Sequence, residues 1–320
     1  MPRARWAVAA LTAAVLTGCS GSDAAPAGDE AVVQPVDYVA LGDSFSSGPL
    51  VPASRNDPGG CFRSTNNYPA YLAGHLEVAT YTDVTCSGAR SRDLHRPQTL
   101  PLGEPAAPQL DALSAGTDLV TLGIGGNDLG LFGSLTSTCP AVRDRDPDGQ
   151  PCKRELTRQV RGERVDTVAR DARRIEDHVA GVLRAVRERS PDAEVFVIGY
   201  PRLLPEEGTC AAVPFAAGDY AWARRIESLL DRSLRLAAER TGSTYLPTRP
   251  ATLGHDACAG DDAWVNGSQL AWGVAAPYHP FQAGMRGVAA TIYEQMTGDP
   301  APTDADAEPP PGSVVVNPVP

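Results

Sequence analysis

Short, nearly unbroken apolar runs alternate along the chain with long stretches in which apolar residues recur every three or four positions. The runs are Val36-Asp37-Tyr38-Val39-Ala40-Leu41, Leu119-Val120-Thr121-Leu122-Gly123-Ile124 and Glu194-Val195-Phe196-Val197-Ile198-Gly199, and each leads into a segment rich in Gly, Ser, Asn or Pro. Runs of this length, closed by turn-forming residues, predict strands buried on both faces. Helices are predicted from about Asp166 to Arg189, Asp219 to Arg240 and Gln282 to Met296. In the second, Trp222, Ile226, Leu229, Leu230 and Leu234 share one face, the stripe a helix presents to a sheet. Buried strands separated by helices predict an α/β fold, a three-layer α/β/α sandwich with a central parallel sheet. In such a sheet ligands sit beyond the carboxyl ends of the strands, so the loops after these runs are where chemistry is expected.

The two ends of the chain break the pattern. Arg3 and Arg5 precede an apolar stretch from Trp6 to Leu16 that ends in Leu16-Thr17-Gly18-Cys19. The stretch is too short for a permanent membrane span. Basic residues, a short apolar segment and small residues before a cysteine resemble the bacterial lipoprotein signal, in which Cys19 is lipidated and becomes the first mature residue. An ordinary secretory signal with an incidental cysteine is the alternative. Residues 1–18 are read as signal peptide, 19–35 as a lipid-anchored flexible linker, 36–298 as the folded domain and 299–320 as a disordered Pro-rich tail. No internal repeat is visible.

Composition narrows the function classes. A chain of 320 residues that is 42% hydrophobic can bury a substantial core. Its formal net charge is −11, with Lys153 the one lysine, so binding to nucleic acid through phosphates is excluded. Basic charge is equally unsuited to hold the protein on an anionic membrane, which leaves the lipid at Cys19 as the expected tether. Seven cysteines leave one over when paired. Lipidation of Cys19 turns seven into one plus six.

The first run ends in Gly42-Asp43-Ser44-Phe45-Ser46-Ser47-Gly48, placing Ser44 where a helix should start and where backbone N–H groups favour developing negative charge. Taken alone, this segment also reads as a turn with a helix cap. After the second run, Gly123-Ile124-Gly125-Gly126-Asn127-Asp128 fails the dinucleotide fingerprint, because its third glycine would fall on Asp128. The side-chain amide of Asn127 is the better use of that loop. His279, in Tyr278-His279-Pro280-Phe281, lies just before the last predicted helix, whereas His178 sits in a charged helix and His75, His95 and His255 have no comparable setting.

Together these segments resemble the SGNH (GDSL) hydrolase family, whose blocks occur here in family order. The resemblance implies an SGNH-hydrolase, flavodoxin-like fold with Ser44 as nucleophile and His279 as general base. It further implies that the Ser44 and Gly88 N–H groups and the Asn127 amide form the oxyanion hole, Gly88 lying in Thr85-Cys86-Ser87-Gly88-Ala89. The family commonly has Asp three residues before the histidine. Here that residue is Ala276, whose backbone carbonyl is expected to orient the imidazole as in Ser-His dyad members, with Asp261 or Asp262 as the less favoured substitute. The resemblance also maps disulfides onto Cys61 with Cys86, Cys139 with Cys152 and Cys210 with Cys258. A metal site at His255 and Cys258 is poorly supported, and no cofactor is needed.

The expectation is a serine esterase or lipase acting on lipid or short-chain acyl esters, exported, monomeric and anchored to the outer face of the cell membrane at Cys19. A polysaccharide O-acetyl esterase, an acyltransferase on the same serine and a non-catalytic glycan- or lipid-binding lipoprotein are the alternatives. Phe45, Leu129 and Leu131 are the candidate acyl-chain contacts.

Overall fold

The computed structural model describes residues 36–302; the expected signal peptide, Cys19, the linker and nearly all of the Pro-rich tail lie outside the described residues. The first half of the domain contains β1 (Asp37–Gly42), α1 (Ser44–Ser47), α2 (Tyr68–His75), β2 (Thr80–Asp83), β3 (Leu119–Gly123), α3 (Leu131–Val142) and α4 (Pro151–Glu155). There follow β4 (Thr157–Val160), β5 (Glu163–Asp166), α5 (Thr167–Arg189), β6 (Glu194–Ile198), α6 (Asp219–Thr241), β7 (Thr244–Leu246) and α7 (Gln282–Thr297).

Five parallel strands form one sheet in the order β2-β1-β3-β6-β7, while β4 and β5 make a separate antiparallel hairpin. Alternation along the central strands builds two cores. Val39, Leu41, Val120, Leu122, Val195 and Val197 face Ile175, Val179 and Leu183 of α5 and Ile226 and Leu234 of α6. Tyr38, Ala40, Leu119, Phe196 and Ile198 face Tyr71 and Leu72 of α2 and Met285, Val288 and Ile292 of α7. This is the expected three-layer sandwich, and the central strands read as apolar runs because neither face meets water.

The helix ends follow from local chemistry. Asp166 caps α5, its carboxylate accepting from the Ala169 N–H at 2.9 Å and from the Trp222 indole N–H of α6 at 2.7 Å. Gly242 closes α6 with φ of +67°, a left-handed position that glycine adopts without a Cβ penalty. Strand order reverses between β1 and β3, so a crevice opens at their carboxyl ends, and the Ser44 and Asn127 loops both emerge there.

Candidate active site

The loop that carries Ser44 is tightly packed, and glycines on either side make room for it. A Cβ on Gly42 would lie 2.4 Å from Ser46 Oγ, and one on Gly123 would lie 2.5 Å from the same atom. With hydrogen in both places, Ser46 is buried between the ends of β1 and β3, and the Asp43 N–H donates to the Gly123 carbonyl at 2.9 Å. Asp43 caps α1 by accepting from the Phe45 N–H at 3.0 Å, and the Tyr200 hydroxyl donates to its other oxygen at 2.5 Å. Burial pushes the Asp43 pKa up to about 7, against these two hydrogen bonds that favour the carboxylate.

Ser44, at the first position of α1, points its Oγ at His279 Nε2, 2.8 Å away. His279 Nδ1 is 2.7 Å from the Pro277 carbonyl. A carbonyl can only accept, so Nδ1 carries the proton and the Nε2 lone pair faces the serine hydroxyl. The ring packs against Phe45 and Phe132, with centroids 5.0 and 5.4 Å away. Exclusion of water by this packing pushes the His279 pKa down to about 4; the bond to Pro277 opposes the shift and is the weaker influence. The imidazole is therefore neutral at neutral pH.

The orienting carbonyl is Pro277 rather than the expected Ala276. Tyr278 adopts a left-handed φ of +62°, and the Ala276 carbonyl is already engaged by the His279 backbone N–H at 3.2 Å and by the Asn266 amide at 3.1 Å. Asp261 and Asp262 are exposed in a separate turn and have no contact with His279 among the described residues.

The Cys86 N–H donates to the Gly42 carbonyl at 3.0 Å and Ser87 Oγ lies 3.0 Å from Ser47 Oγ, holding the Gly88 loop against the Ser44 turn. Gly88 has φ of +76°, a conformation for which glycine is the natural residue. The backbone N–H groups of Ser44 and Gly88 donate no hydrogen bond among the described residues. The Asn127 amide donates to the Ala89 carbonyl at 3.1 Å, leaving its second proton for another acceptor. Buried Asp128 locks the two loops together by accepting from the Ser91 N–H at 2.9 Å and from the Ser91 hydroxyl. Ser44 and Asn127 open onto a cavity of about 790 Å³, including its solvent-open part, with apolar walls from Phe132, Leu135, Leu204, Phe215 and Ile226.

The sequence profile of the GDSL-like lipase/acylhydrolase family matches residues 40–286, from inside β1 to the start of α7. The chain belongs to this family. The GDSL hydrolase is 38% identical to Lipase 2 of Streptomyces coelicolor over 302 residues, covering 90% of this chain and 96% of that one. Phospholipase A1 from Streptomyces albidoflavus superposes with a TM-score of 0.68 at 29% identity, covering 82% of this chain and 100% of that structure. An extracellular lipase from Streptomyces rimosus superposes with a TM-score of 0.66 at 28% identity over the same shares. The protein is a carboxylic ester hydrolase of the lipase and esterase type.

Among the residues singled out from sequence, Ser44, His279 and Asn127 meet at the cavity mouth, and Phe45 and Leu131 line it, whereas Leu129 points outward and is 39% exposed. The six cysteines within the described residues form the pairs Cys61–Cys86, Cys139–Cys152 and Cys210–Cys258. Cys258 is thereby consumed, and His255 stacks on Trp264; no cluster of potential metal ligands occurs among the described residues. Sequence reasoning missed Tyr200, whose hydroxyl accepts from the Gly126 N–H at 2.8 Å while donating to Asp43, so that one side chain links the nucleophile turn to the Asn127 loop. The available signal was its position in Gly199-Tyr200-Pro201, directly after the third apolar run.

Proposed function

We propose that the hydrolase cleaves lipid or other acyl esters through an acyl-enzyme on Ser44. The observation that carries this reading is the hydrogen-bonded series from Ser44 Oγ to His279 and on to the Pro277 carbonyl, at the mouth of an apolar cavity. As Oγ attacks the ester carbonyl carbon, its proton passes to Nε2 and the carbonyl oxygen becomes an oxyanion, received by the Ser44 and Gly88 N–H groups and the Asn127 amide. Collapse of this intermediate expels the alcohol, which takes the proton from His279. Water then attacks the acyl-enzyme with His279 again as base, the acid leaves and Ser44 recovers its proton.

A base held near pKa 4 at rest is always free to accept. The oxyanion formed beside it favours the imidazolium during the reaction, which raises its basicity when the proton must move. The cavity favours acyl chains longer than acetyl, because an acetyl group would leave its Leu and Phe walls uncovered. The lipase and phospholipase names of the similar Streptomyces proteins point the same way.

Wild type should hydrolyse p-nitrophenyl esters, with medium chains preferred to acetate, and Ser44→Ala and His279→Ala should each lower kcat by about 10⁴-fold or more. Turnover surviving in Ser44→Ala, or a wild type that neither turns over nor reacts with a fluorophosphonate at Ser44, overturns the reading.

Export with retention at the membrane is part of the same proposal. It is supported by the lipoprotein-like segment ending at Cys19, by three disulfides that suit an oxidising compartment and by the similarity to an extracellular lipase. Cys19→Ser should move the protein from membranes into the medium.

A further inference from the structure

The stretch from Ala263 to Met285, which carries His279, contains no Asp, Glu, Lys or Arg in a chain that is 21% charged. Its outermost part exposes large apolar side chains: Leu270 is 49% exposed, Trp272 76% and Val274 47%. The other exposed large apolar residues among those described are Leu102, Leu253 and Leu129, the last of which follows Asn127 and Asp128. Four of these side chains thus stand on the two loops that supply the base and the amide of the site. Singly exposed apolar residues need no explanation, but three at alternate positions of one loop do.

The loop holding them is firmly built. Ala271 and Ala275 pair across a turn in which Gly273 takes a left-handed φ of +67°. The Asn266 amide donates to the Gln269, Ala275 and Ala276 carbonyls at 2.8, 3.3 and 3.1 Å, and the Ser268 N–H donates to the Ala212 carbonyl at 2.8 Å. The Ala276 N–H donates to the Pro49 carbonyl at 3.0 Å, which fixes the base of the loop to the segment leaving α1 and its nucleophile. Leu270, Trp272 and Val274 are therefore presented outward on a pre-ordered support.

We propose that this loop is the surface by which the enzyme docks on a neutral or zwitterionic lipid surface and brings its cavity mouth to the esters there. Charge decides the occupant. The loop carries no formal charge of its own, while a net charge of −11 opposes approach to an anionic bilayer. Tryptophan at the tip suits the boundary between headgroups and acyl chains, where an amphipathic ring has both a wet and an apolar side. The inference rests on the proposed hydrolysis of acyl esters at Ser44, and the experiment separates the two.

Protein lacking residues 1–19, so that neither the apolar Trp6–Leu16 stretch nor an acyl chain at Cys19 contributes, is mixed with phosphatidylcholine vesicles and assayed by co-sedimentation and tryptophan emission. Emission should shift to the blue on binding, and Trp272→Ser should lower the vesicle partition coefficient by about tenfold or more, with Trp272→Phe recovering most of it. The ratio of activity on dispersed long-chain ester to activity on monomeric p-nitrophenyl butyrate should fall in parallel. Equal partitioning of wild type and Trp272→Ser overturns the proposal. So does absence of vesicle binding with self-association that Trp272→Ser abolishes, which would assign the patch to a second copy. Loss of hydrolysis of the monomeric ester by the wild type would strike the proposed function instead and leave the vesicle result standing.

Discussion

The two sides of the candidate active site differ in one respect: buried carboxylates help to hold the Ser44 side and take no part on the His279 side. On the Ser44 side buried carboxylates add to the backbone and hydroxyl contacts: Asp43 between Phe45 and Tyr200, Asp83 receiving the Asn67 amide and the Thr85 N–H and hydroxyl, and Asp128 receiving Ser91 twice. Fully buried Arg63 lies 3.7 Å from Asp83 and donates to the Thr85 carbonyl, directly before the cysteine that leads to Gly88. On the base side every connection is neutral, made by the Asn266 amide, backbone carbonyls and the Pro277 oxygen. A buried carboxylate is tolerable when several donors satisfy it, and it then fixes a loop strongly. A carboxylate against His279 would also stabilise the imidazolium, whereas a carbonyl orients the ring and leaves burial to set a low pKa.

The sharpest way to break the Ser44 side is Asn127→Ala. Under the proposed mechanism it removes one oxyanion donor and should lower kcat by about 10²- to 10³-fold while KM for a soluble ester changes little, as steady-state kinetics will register. On the neutral side, Asn266→Ala removes the donor to three carbonyls around the His279 turn. It should destabilise the domain by about 1–3 kcal/mol and lower kcat as the imidazole loses its fixed approach, readable in thermal melting and kinetics together.

Titration should separate the sides by sign. His279, lowered from 6.5 to about 4, contributes stability that is present above 6.5 and lost as pH falls towards 4. Asp43, raised from 3.8 to about 7, contributes stability that is present below 3.8 and lost as pH rises through about 7. Melting curves across pH should lose the first slope in His279→Gln and the second in Asp43→Asn. The acid limb of kcat/KM should fall near pH 4, and Ala276→Asp should move it upward by offering the imidazolium a charged partner. The smallest effect is expected for Pro277→Ala, which retains the carbonyl and should stay within about twofold of wild-type kcat.

Legibility from sequence followed the same division between local and distant information. β1, β3 and β6 were readable because strands buried on both faces are apolar at nearly every position. The edge strands were not: β2 is Thr-Tyr-Thr-Asp and β7 only Thr-Tyr-Leu, too short and polar to stand out. The hairpin of β4 and β5 is largely charged and exposed, and α3 contains Pro140, so neither carries a clear period. α2 is buried along most of its length and therefore shows no amphipathic stripe. Within the site, Ser44, Asn127 and His279 stood out through their own side chains and immediate neighbours. Tyr200 did not, because its partner Asp43 is 157 positions away and only the fold brings them together. The shift from Ala276 to Pro277 turned on the left-handed conformation of Tyr278, a backbone choice that residue identity does not announce.

A proposed base whose ring is held by a main-chain oxygen has an unusual genetic footprint. Every amino acid brings a carbonyl, so position 277 can change its side chain freely without deleting the group that aims His279. The vulnerable quantity is the path of the chain, which a single-residue deletion between Asn266 and His279 would alter at once. Sequence drift in this loop should thus preserve spacing more strictly than identity, and an inactive descendant of this enzyme could retain Ser44 and His279 intact while having lost one residue between them.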